Sequence, residues 1–448
     1  MTPAARLSAA IEVIADIEAR RRPASDALKD WGLTHRFAGS SDRAAIAGLV
    51  YDALRRKSSS AWLMGEAGPR AVLIGMLHRE RGLDVAQIAA LCSGARFAPA
   101  LLTEAERVAL AGGALADAPA PVLGDYPDWL DPYFSRVFKD ERAAEGAALA
   151  SRAPLDMRVN TLKAEREDVL PTVAHLHAEP TRWSPIGLRI RLSADAKSPA
   201  IHAEPAFRKG AIEIQDEGSQ LAALFAGAKP GEQVVDLAAG AGGKTLALSA
   251  VMENRGQIYA TDIDKRQLAP IHERIARAGA RNIQVRTPRG PPSFPSPASG
   301  GGLGWGQLAD LVGRIDLVLI DAPCTGTGAW RRNPDAKWRV RPGALAERVK
   351  QQEALLDRAA ALVKAGGRIA YVTCSVLAEE NGDRVRAFLS RHPDFTVVSP
   401  REIVAAALGE RAMLFCRAAL LSEVELLMTP RATDTDGFYV AVMRRGQH

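Results

Sequence analysis

Two cysteines in this sequence follow strongly apolar runs, in places where a thiol can do chemistry. Cys324 comes just after the run IDLVLIDA (315–322), and Cys374 ends the run RIAYVTC (368–374). A thiolate is a strong nucleophile, and covalent catalysis through it replaces one difficult step by two easier ones. A free thiol has a pKa near ~8.5, so a site that uses one must favour the thiolate. We therefore expect Cys324 and Cys374 to be catalytic.

A second candidate site is the loop of small residues after the apolar run QVVDLA (233–238), near whose end Asp236 lies. Its members are Ala238, Ala239, Gly240, Ala241, Gly242, Gly243 and Lys244. Glycines let a backbone approach a ligand closely, and the start of the following helix favours negative charge. The loop fails the phosphate-binding pattern GxxxxGK[ST] at Ala238 and the dinucleotide pattern GxGxxG at Thr245.

An acidic residue at the end of the next apolar run favours a cofactor that carries a ribose. Asp262 ends the run QIYATD (257–262) and stands 22 residues after Gly240. A carboxylate there can accept hydrogen bonds from both ribose hydroxyls. The loop and Asp262 together fit NAD or S-adenosylmethionine, and Asp321, after a later strand, completes the predicted cofactor-binding set.

These residues must be positioned by a repeated pattern of strand, turn and helix that begins near residue 229. Its predicted strands are 233–238, 257–262, 282–286, 315–322 and 368–374. Alternating strands and helices imply a doubly wound, Rossmann-like α/β fold with a parallel sheet, in which ligands bind outside the carboxyl ends of the strands. Since Cys324 and Cys374 follow two of these ends, we expect both at one functional edge.

The pattern divides the chain into three predicted domains. Residues 1–142 are predicted to be all helical, with candidate helices at 4–20, 42–57, 69–81, 84–93 and 103–111. Residues 143–228 mix short strand candidates with helical stretches and predict a small α+β domain, and residues 229–448 form the Rossmann-like domain. Residues 287–306 are dense in Pro, Gly and Ser and are predicted to form a mobile insertion loop.

Composition restricts the class of protein. The chain has 448 residues, of which 47% are hydrophobic and 25% charged, as is typical of folded globular proteins. Its formal net charge of +6 is compatible with a polyanionic partner without requiring one. Four cysteines and eight scattered histidines indicate neither a disulfide framework nor a metal site, and Cys92 and Cys416 are interpreted as packing residues. With no signal peptide or membrane-spanning run apparent, we expect a cytoplasmic monomer.

Taken together, these motifs resemble those of the RNA cytosine-5 methyltransferases of the Sun (NSUN) family. The family's DAPC motif matches Asp321–Cys324, and its TCS motif matches Thr373–Ser375. Further similar stretches are MRVNTLK (157–163), QDEGSQ (215–220), RRNPDAKW (331–338), VLAEEN (376–381) and DGFYVAVMRR (436–445). The resemblance spans nearly the whole chain. It implies a methyltransferase fold with S-adenosylmethionine as cofactor, preceded by a NusB-like RNA-binding domain as in members that act on small-subunit (16S) ribosomal RNA.

The resemblance also implies a role for each catalytic residue. In this family the TCS cysteine is the nucleophile, which implies Cys374, and the DAPC cysteine assists product release, which implies Cys324. A thiolate that adds to carbon 6 of cytosine makes carbon 5 able to take a methyl group. Asp321 is placed to neutralise charge at ring nitrogen 3, and Lys244 to hold Asp321. DNA cytosine-5 methyltransferases use the cysteine of a PC motif instead, so the presence of both cysteines favours RNA.

The sequence departs from the family pattern in two places. The glycine loop usually reads CAAPGGK, and here Ala238, Gly240 and Ala241 replace three other small residues, so we expect cofactor binding to survive. The acid that contacts the adenine side of the cofactor after the third strand is missing from VRTPRG (285–290). No adenine contact is therefore assigned.

A basic stretch beside the DAPC motif is predicted to contact RNA. It contains Arg331, Arg332, Lys337, Arg339 and Arg341, interleaved with Trp330 and Trp338. Arginine can hold phosphates and tryptophan can stack on unpaired bases, and the target base must leave any stack to reach Cys374. A solvated charged loop is the more common fate of such a run.

Three alternative functions stay open at this point. Within the same enzyme class, the substrate could be a transfer RNA. A non-catalytic RNA-binding assembly factor would keep the fold but predicts loss of catalytic residues, whereas Cys324, Cys374, Asp321 and Lys244 are all present. An NAD-dependent oxidoreductase fits the cofactor loop alone and leaves both cysteines unexplained.

Overall fold

A computed structural model of the chain describes residues 1–192, 199–287 and 308–447. Its α-helices are α1 (Pro3–Arg20), α2 (Ala24–Thr34), α3 (Ser40–Arg55), α4 (Lys57–Met64), α5 (Pro69–Arg79), α6 (Val85–Leu91), α7 (Glu104–Gly112), α8 (Ala120–Leu123), α9 (Asp131–Phe138), α10 (Arg142–Leu149), α11 (Arg166–Val169), α12 (Pro205–Arg208), α13 (Glu217–Phe225), α14 (Gly243–Val251), α15 (Lys265–Leu268), α16 (Ile271–Ala278), α17 (Ala336–Arg339), α18 (Pro342–Leu362), α19 (Gly382–Arg391), α20 (Pro400–Leu408), α21 (Ala412–Ala418) and α22 (Pro430–Thr433). Apart from Thr287, the predicted insertion loop at 287–306 lies outside the described residues.

The strands of the described residues include the five predicted at 233–238, 257–262, 282–286, 315–322 and 368–374, with ends displaced by at most five residues, and four short ones that are not predicted. They are β1 (Leu155–Val159), β2 (Glu179–Pro180), β3 (Gly187–Ile190), β4 (Ile212–Ile214), β5 (Gln233–Asp236), β6 (Gln257–Ala260), β7 (Ile283–Val285), β8 (Ile315–Asp321), β9 (Val363–Thr373), β10 (Phe395–Val397), β11 (Leu420–Leu421), β12 (Leu426–Met428) and β13 (Phe438–Arg445). Within the described ranges, no helix is long and apolar enough to cross a membrane. Across the same ranges, no group of three or more His, Cys, Asp or Glu side chains could hold a metal ion.

The contacts divide the chain into two compact units. The helical unit consists of Met1–Arg152 and Ala329–Arg341, apart from residues that the structure does not describe. The sheet unit consists of the described parts of Ala153–Leu192, Ser198–Gly328 and Pro342–His448. The predicted domains are three continuous ranges, 1–142, 143–228 and 229–448. The contacts instead give two units, one of which is assembled from separate stretches of sequence, so the three ranges stay predictions.

The helical unit packs α1–α7 around an apolar core, as the 3.6-residue periodicity of its sequence predicts. The first helix starts at Pro3 because the Thr2 hydroxyl accepts a hydrogen bond from the Ala5 amide at 3.2 Å. Capping boxes likewise start α6 and α7. The buried face of α1 includes Leu7, Ala10, Ile14 and Ile17.

The stretch Ala329–Arg341 belongs to the helical unit, and the predicted RNA contact is wrong for three of its residues and stays a prediction for the others. Trp330, Arg331 and Lys337 are at most 2% exposed, so neither a base nor a phosphate can reach them. Arg339 and Arg341 are exposed, and Arg332 and Trp338 are half-buried. Aromatic and basic residues alternate in the same way in a buried segment as in an RNA-binding loop, so the sequence alone could not distinguish the two.

Hydrogen bonds to the ends of helices hold this stretch in place. The Lys337 ammonium donates to the carbonyl oxygens of Arg55 at 2.8 Å and of Asp125 at 2.7 Å. The Trp338 indole donates to the carbonyl oxygen of Leu54 at 2.7 Å. The carbonyl groups at the end of α3, which have no partner inside that helix, are thereby satisfied.

Lys337 should make the helical unit more stable as the pH rises from about 7 to 10. Burial lowers the pKa of Lys337 from 10.5 to about 7. The unfolded chain then binds more protons than the folded chain across this window, so the free energy of unfolding increases with pH. Between pH 7.5 and 9.5 the gain should be on the order of 2 kcal/mol. Denaturant unfolding of the wild type and of Lys337→Met at both pH values checks this; an equal pH dependence in the two proteins would contradict it.

The first part of the sheet unit is a small antiparallel sheet in the order β2-β3-β1-β4. Its apolar face packs against the helical turns that follow β1, around a core that includes Met157, Val159 and Val173. The buried Arg189 guanidinium pairs with both oxygens of Asp156, at 2.7 and 2.8 Å. Buried charges of this kind are tolerated because each is matched by its partner.

The second part is a large sheet in the order β11-β12-β13-β9-β8-β5-β6-β7, with β10 also paired to β13. Strands β5 to β9 are parallel, whereas β13 runs antiparallel to β9. The sheet is therefore mixed, and the prediction of a parallel sheet holds for five strands and is wrong for the closing ones. A strand buried on both faces is apolar whichever way it runs, so its direction is not written in its sequence.

The order of the parallel strands fixes the place of a ligand site. From β5 the chain proceeds outward through β6 to β7, and then returns to the other side of β5 to form β8 and β9. This reversal between β5 and β8 is the topological switch point, where open α/β sheets bind their ligands. The glycine loop follows β5, and the segment of Cys324 follows β8.

Candidate functional site

The structure brings the two predicted catalytic cysteines together at the carboxyl edge of the large sheet. Strands β8 and β9 are neighbours, with Asp321 opposite Val372. Cys374 follows β9 directly, and its Sγ atom lies 3.3 Å from the Sγ atom of Cys324. Two sulfur atoms at this separation can share one proton.

The surroundings of Cys324 keep its thiol protonated. Its hydrogen bond with Cys374 comes first among the causes that raise its pKa well above the ordinary value, followed by burial and by the charges of Cys374 and Glu380. A thiol with a raised pKa keeps its S–H, and either sulfur atom of the pair can donate the hydrogen bond between them.

Backbone contacts hold the two cysteine segments in one arrangement. The Gly328 amide donates to the carbonyl oxygen of Cys374 at 2.9 Å, and the Gly437 amide donates to the carbonyl oxygen of Gly328 at 2.8 Å. A Cβ atom on Gly328 would lie 2.2 Å from the Gly437 carbonyl oxygen. The turn after Cys324 therefore needs glycine at position 328 to approach the last strand so closely.

Lys244 and Asp321 form an ion pair beside the cysteines. The Lys244 ammonium lies 2.7 Å from Oδ2 of Asp321, and Lys244 is 7% exposed. The same ammonium lies over the Phe438 ring, 5.0 Å from its centroid. Sequence reasoning did not single out Phe438, although the stretch DGFYVAVMRR that contains it was noted. A buried ammonium needs such partners, so Lys244 orients the Asp321 carboxylate at the strand end.

The glycine loop is braced by Asp262. Its Oδ2 accepts from the Gly240 amide and its Oδ1 from the Asp264 amide, both at 2.9 Å. Each carboxylate oxygen can accept a second hydrogen bond, so Asp262 can brace the loop and still bind a ribose hydroxyl. Gly240 has a φ of 50° and open space where a side chain would stand.

The loop also fits a positively charged nucleoside cofactor such as S-adenosylmethionine. Asp236, at the end of β5, is buried, and its Oδ1 has no hydrogen-bond partner among the described residues. Burial first, and then the charges of Asp321 and Asp262, raise its pKa to about 7. The carboxyl groups of Asp236, Asp262 and Asp321 thus stand near the loop together with two cations, the Lys244 ammonium and the Arg274 guanidinium, which donates to the Ala241 carbonyl oxygen at 2.7 Å. The amides at the start of α14 lack a side-chain cap and suit a ligand carboxylate.

Gly242→Ala should weaken cofactor binding by about tenfold or more. Gly242 has a φ of 85°, and an added Cβ atom would lie 2.4 Å from Cγ1 of Ile271, so that strain and overlap together cost about 2 to 4 kcal/mol. Calorimetric titration with S-adenosylhomocysteine measures the change. Gly227→Ala is the matched control, because Gly227 has a φ of 65° and open space around it. Equal affinity in Gly242→Ala and the wild type would contradict the prediction.

A carboxylate also stands near the end of the third parallel strand, where the sequence lacks one. Arg286, directly after β7, pairs with both oxygens of Asp310, at 2.6 and 2.9 Å. Its guanidinium also lies over the ring of Tyr259, 4.5 Å from the centroid. Asp310 stands 24 residues later in the chain, so no local sequence signal could have placed it here.

Comparison with known proteins identifies the relatives of this chain. Residues 223–444 match the family model described as 16S rRNA methyltransferase RsmB/F. The chain is 28% identical over 410 residues to a probable ribosomal RNA small subunit methyltransferase B of Synechocystis, covering 86% of this chain and 88% of that protein. It is 30% identical over 349 residues to the ribosomal RNA small subunit methyltransferase B of Sodalis glossinidius, covering 78% and 69%. Alignments with the Citrobacter and Salmonella relatives span 58% to 59% of those proteins.

A solved structure shares the fold. The crystal structure of NSun6 from Pyrococcus horikoshii with SFG has a TM-score of 0.57 and 20% sequence identity, and it covers 72% of this chain and 99% of its own. S-adenosylmethionine is the cofactor that the glycine loop and the matched family model together support. On these matches the chain belongs to the RsmB/F family of methyltransferases.

Proposed function

We propose that this chain methylates carbon 5 of a cytosine in small-subunit (16S) ribosomal RNA through a covalent bond between Cys374 and the base. Its family makes it an S-adenosylmethionine-dependent RNA methyltransferase. The base, the carbon atom, the covalent bond and the ribosomal substrate are the proposal. The observation that carries it is the pair of Sγ atoms 3.3 Å apart at the switch-point edge.

Two thiols can divide the work, because the reaction both makes and breaks a carbon–sulfur bond. The Cys374 thiolate adds to carbon 6, and the electron pair of the double bond between carbons 5 and 6 becomes available at carbon 5. When bound, S-adenosylmethionine supplies the methyl group on a sulfonium centre, which leaves as a neutral thioether. Carbon 5 then loses its proton to water, the double bond re-forms, and the Cys374–carbon 6 bond breaks with its electrons on sulfur.

Cys324 acts in that last step. Its S–H, kept protonated by its raised pKa, donates to the Cys374 sulfur as the bond to carbon 6 breaks. A stabilised thiolate is a better leaving group, so Cys324 speeds release. A proton of the Lys244–Asp321 pair moves to ring nitrogen 3 as the thiolate adds, which neutralises the developing charge, and returns to the pair when the Cys374–carbon 6 bond breaks.

The alternative functions explain fewer of the residues at this site. An NAD-dependent oxidoreductase has no use for paired thiols at the strand ends, and a non-catalytic assembly factor has no need to keep Cys324, Cys374 and the Lys244–Asp321 ion pair. The names of the relatives favour small-subunit ribosomal RNA over transfer RNA. The NusB-like character of the N-terminal domain, the cytoplasmic location and the monomeric state stay predictions.

The test uses Cys324→Ala with unmodified 16S ribosomal RNA and S-adenosylmethionine. We expect a protein–RNA adduct that survives a denaturing gel, because addition proceeds and release is slowed. Replacing Cys374 as well should remove the adduct. If no adduct forms and the wild type also fails to methylate this RNA, the ribosomal substrate is wrong; a wild type that then methylates transfer RNA would identify the alternative.

A further inference from the structure

The peptide that carries Cys324 is gripped on both sides by two side chains from other elements. On one side, Nε2 of Gln352 donates to the carbonyl oxygen of Pro323 at 3.0 Å. On the other, the Thr325 amide donates to Oε1 of Glu380 at 2.8 Å, and the Thr325 hydroxyl donates to Oε2 at 2.5 Å. Gln352 also donates to Oε1 of Glu380 at 3.1 Å, which closes the grip.

Both side chains are fully buried, and neither belongs to the strand that carries Cys324. Gln352 lies in α18, and Glu380 lies in the turn just before α19. Each is 0% exposed, and burial raises the pKa of the Glu380 carboxyl. Burying a carboxyl group and an amide is costly where apolar side chains would pack as well. The polar contacts offset this cost by fixing the backbone on both sides of Cys324, and with it the position of the thiol.

The contacts act unequally on the two cysteines. Among the described residues, Gln352 donates hydrogen bonds to the Cys324 segment and to Glu380, and none to the Cys374 segment. The Cys374 segment has a further brace in Asn381, whose Nδ2 donates to the carbonyl oxygen of Ser375 at 2.9 Å. Loss of Gln352 should therefore displace Cys324 and leave Cys374 in place.

We infer that Gln352 and Glu380 are positioning residues for Cys324, which hold its S–H against the Cys374 sulfur so that the covalent adduct is released. This inference rests on the proposed function, and it assigns to a buried amide and carboxyl a role in one step of the reaction. Neither residue touches the substrate. Their effect is on the 3.3 Å distance between the two Sγ atoms, and a displacement of about 1 Å can slow a step by on the order of 100-fold.

The experiment separates adduct formation from adduct release in the full chain. Gln352→Leu keeps the approximate size of the side chain and removes its donors. We expect single-turnover methyl transfer to change by less than about threefold, and product release to slow by about 10- to 100-fold, with adduct accumulating as in Cys324→Ala. Glu380→Gln can still accept from the Thr325 amide and should release product at nearly the wild-type rate, whereas Glu380→Leu should not.

Gln351→Leu is the matched control, since Gln351 is the preceding residue of α18 and bonds Glu347 and Arg348 instead. If Gln352→Leu and Glu380→Leu slow formation and release by the same factor, or leave both unchanged, the positioning role is overturned. Cys324→Ala, assayed in parallel, distinguishes failure of the positioning role from failure of the proposed function. Its failure to accumulate adduct would overturn the proposed function itself, and the inference with it.

Discussion

Cys374→Ala is expected to abolish methyl transfer and covalent adduct together, with turnover reduced by about 10⁴-fold or more. No described side chain other than Cys324 places a sulfur atom beside that of Cys374, and the raised pKa of Cys324 makes it a poor replacement nucleophile. Transfer of a labelled methyl group from S-adenosylmethionine to 16S ribosomal RNA measures the loss. Titration with S-adenosylhomocysteine should show that the cofactor still binds.

Cys416→Ala is the control for this result, because Cys416 is a free, half-buried cysteine in α21. It should methylate at the wild-type rate. The roles of the two catalytic cysteines would be reversed if Cys374→Ala formed a stable adduct and Cys324→Ala formed none. That outcome would place the nucleophile in the DAPC motif, as in the DNA enzymes.

Asp321→Asn should slow methyl transfer by about 10²- to 10⁴-fold at saturating cofactor. The amide has nearly the shape of the carboxyl but cannot exchange a proton with ring nitrogen 3. It also leaves the Lys244 ammonium, which is 7% exposed, without its counter-charge. Single-turnover rates at saturating S-adenosylmethionine isolate this effect from any change in cofactor affinity.

Asp316→Asn is the matched control, since Asp316 lies on the same strand at its opposite end and pairs with Lys364. Substitution there removes an ion pair of the same kind, far from the carboxyl edge. A rate for Asp321→Asn within about threefold of the Asp316→Asn rate would refute the role assigned to Asp321, since an effect on proton transfer is expected to reach at least 10²-fold.

The placement of the candidate site followed from sequence because several independent signals agreed there. Apolar runs marked β5, β6, β8 and β9, and each ended in a residue type that does chemistry. The carboxyl ends of parallel neighbours meet at one edge, so Cys324 and Cys374 were expected to approach each other. The ion pair of Lys244 with Asp321 was predicted on the same basis, and the structure forms it at 2.7 Å.

What the sequence could not provide depended on contacts between distant residues. Trp330 and Lys337 have the composition of an RNA-binding stretch, and only the surrounding helices show that they are buried. Asp310 meets Arg286 across an insertion, and Glu380 meets Thr325 across 55 residues. The apolar pattern of β13 likewise does not show that this strand pairs antiparallel with β9. In each case the burial, pairing or strand direction depends on a residue distant in the sequence, and a local pattern cannot show it.

The discontinuous helical unit has a consequence for anyone who divides this protein by sequence. Ala329–Arg341 leaves the sheet unit five residues after Cys324 and returns to it as α18, the helix that carries Gln352. A fragment that starts at residue 153 would keep every catalytic residue and still expose Trp330 to water and leave Lys337 without its carbonyl partners. Gene fusions, truncations and domain exchanges between residues 152 and 153 therefore separate Ala329–Arg341 from the rest of the helical unit. Any transfer of the first 152 residues between relatives should carry residues 329–341 with it.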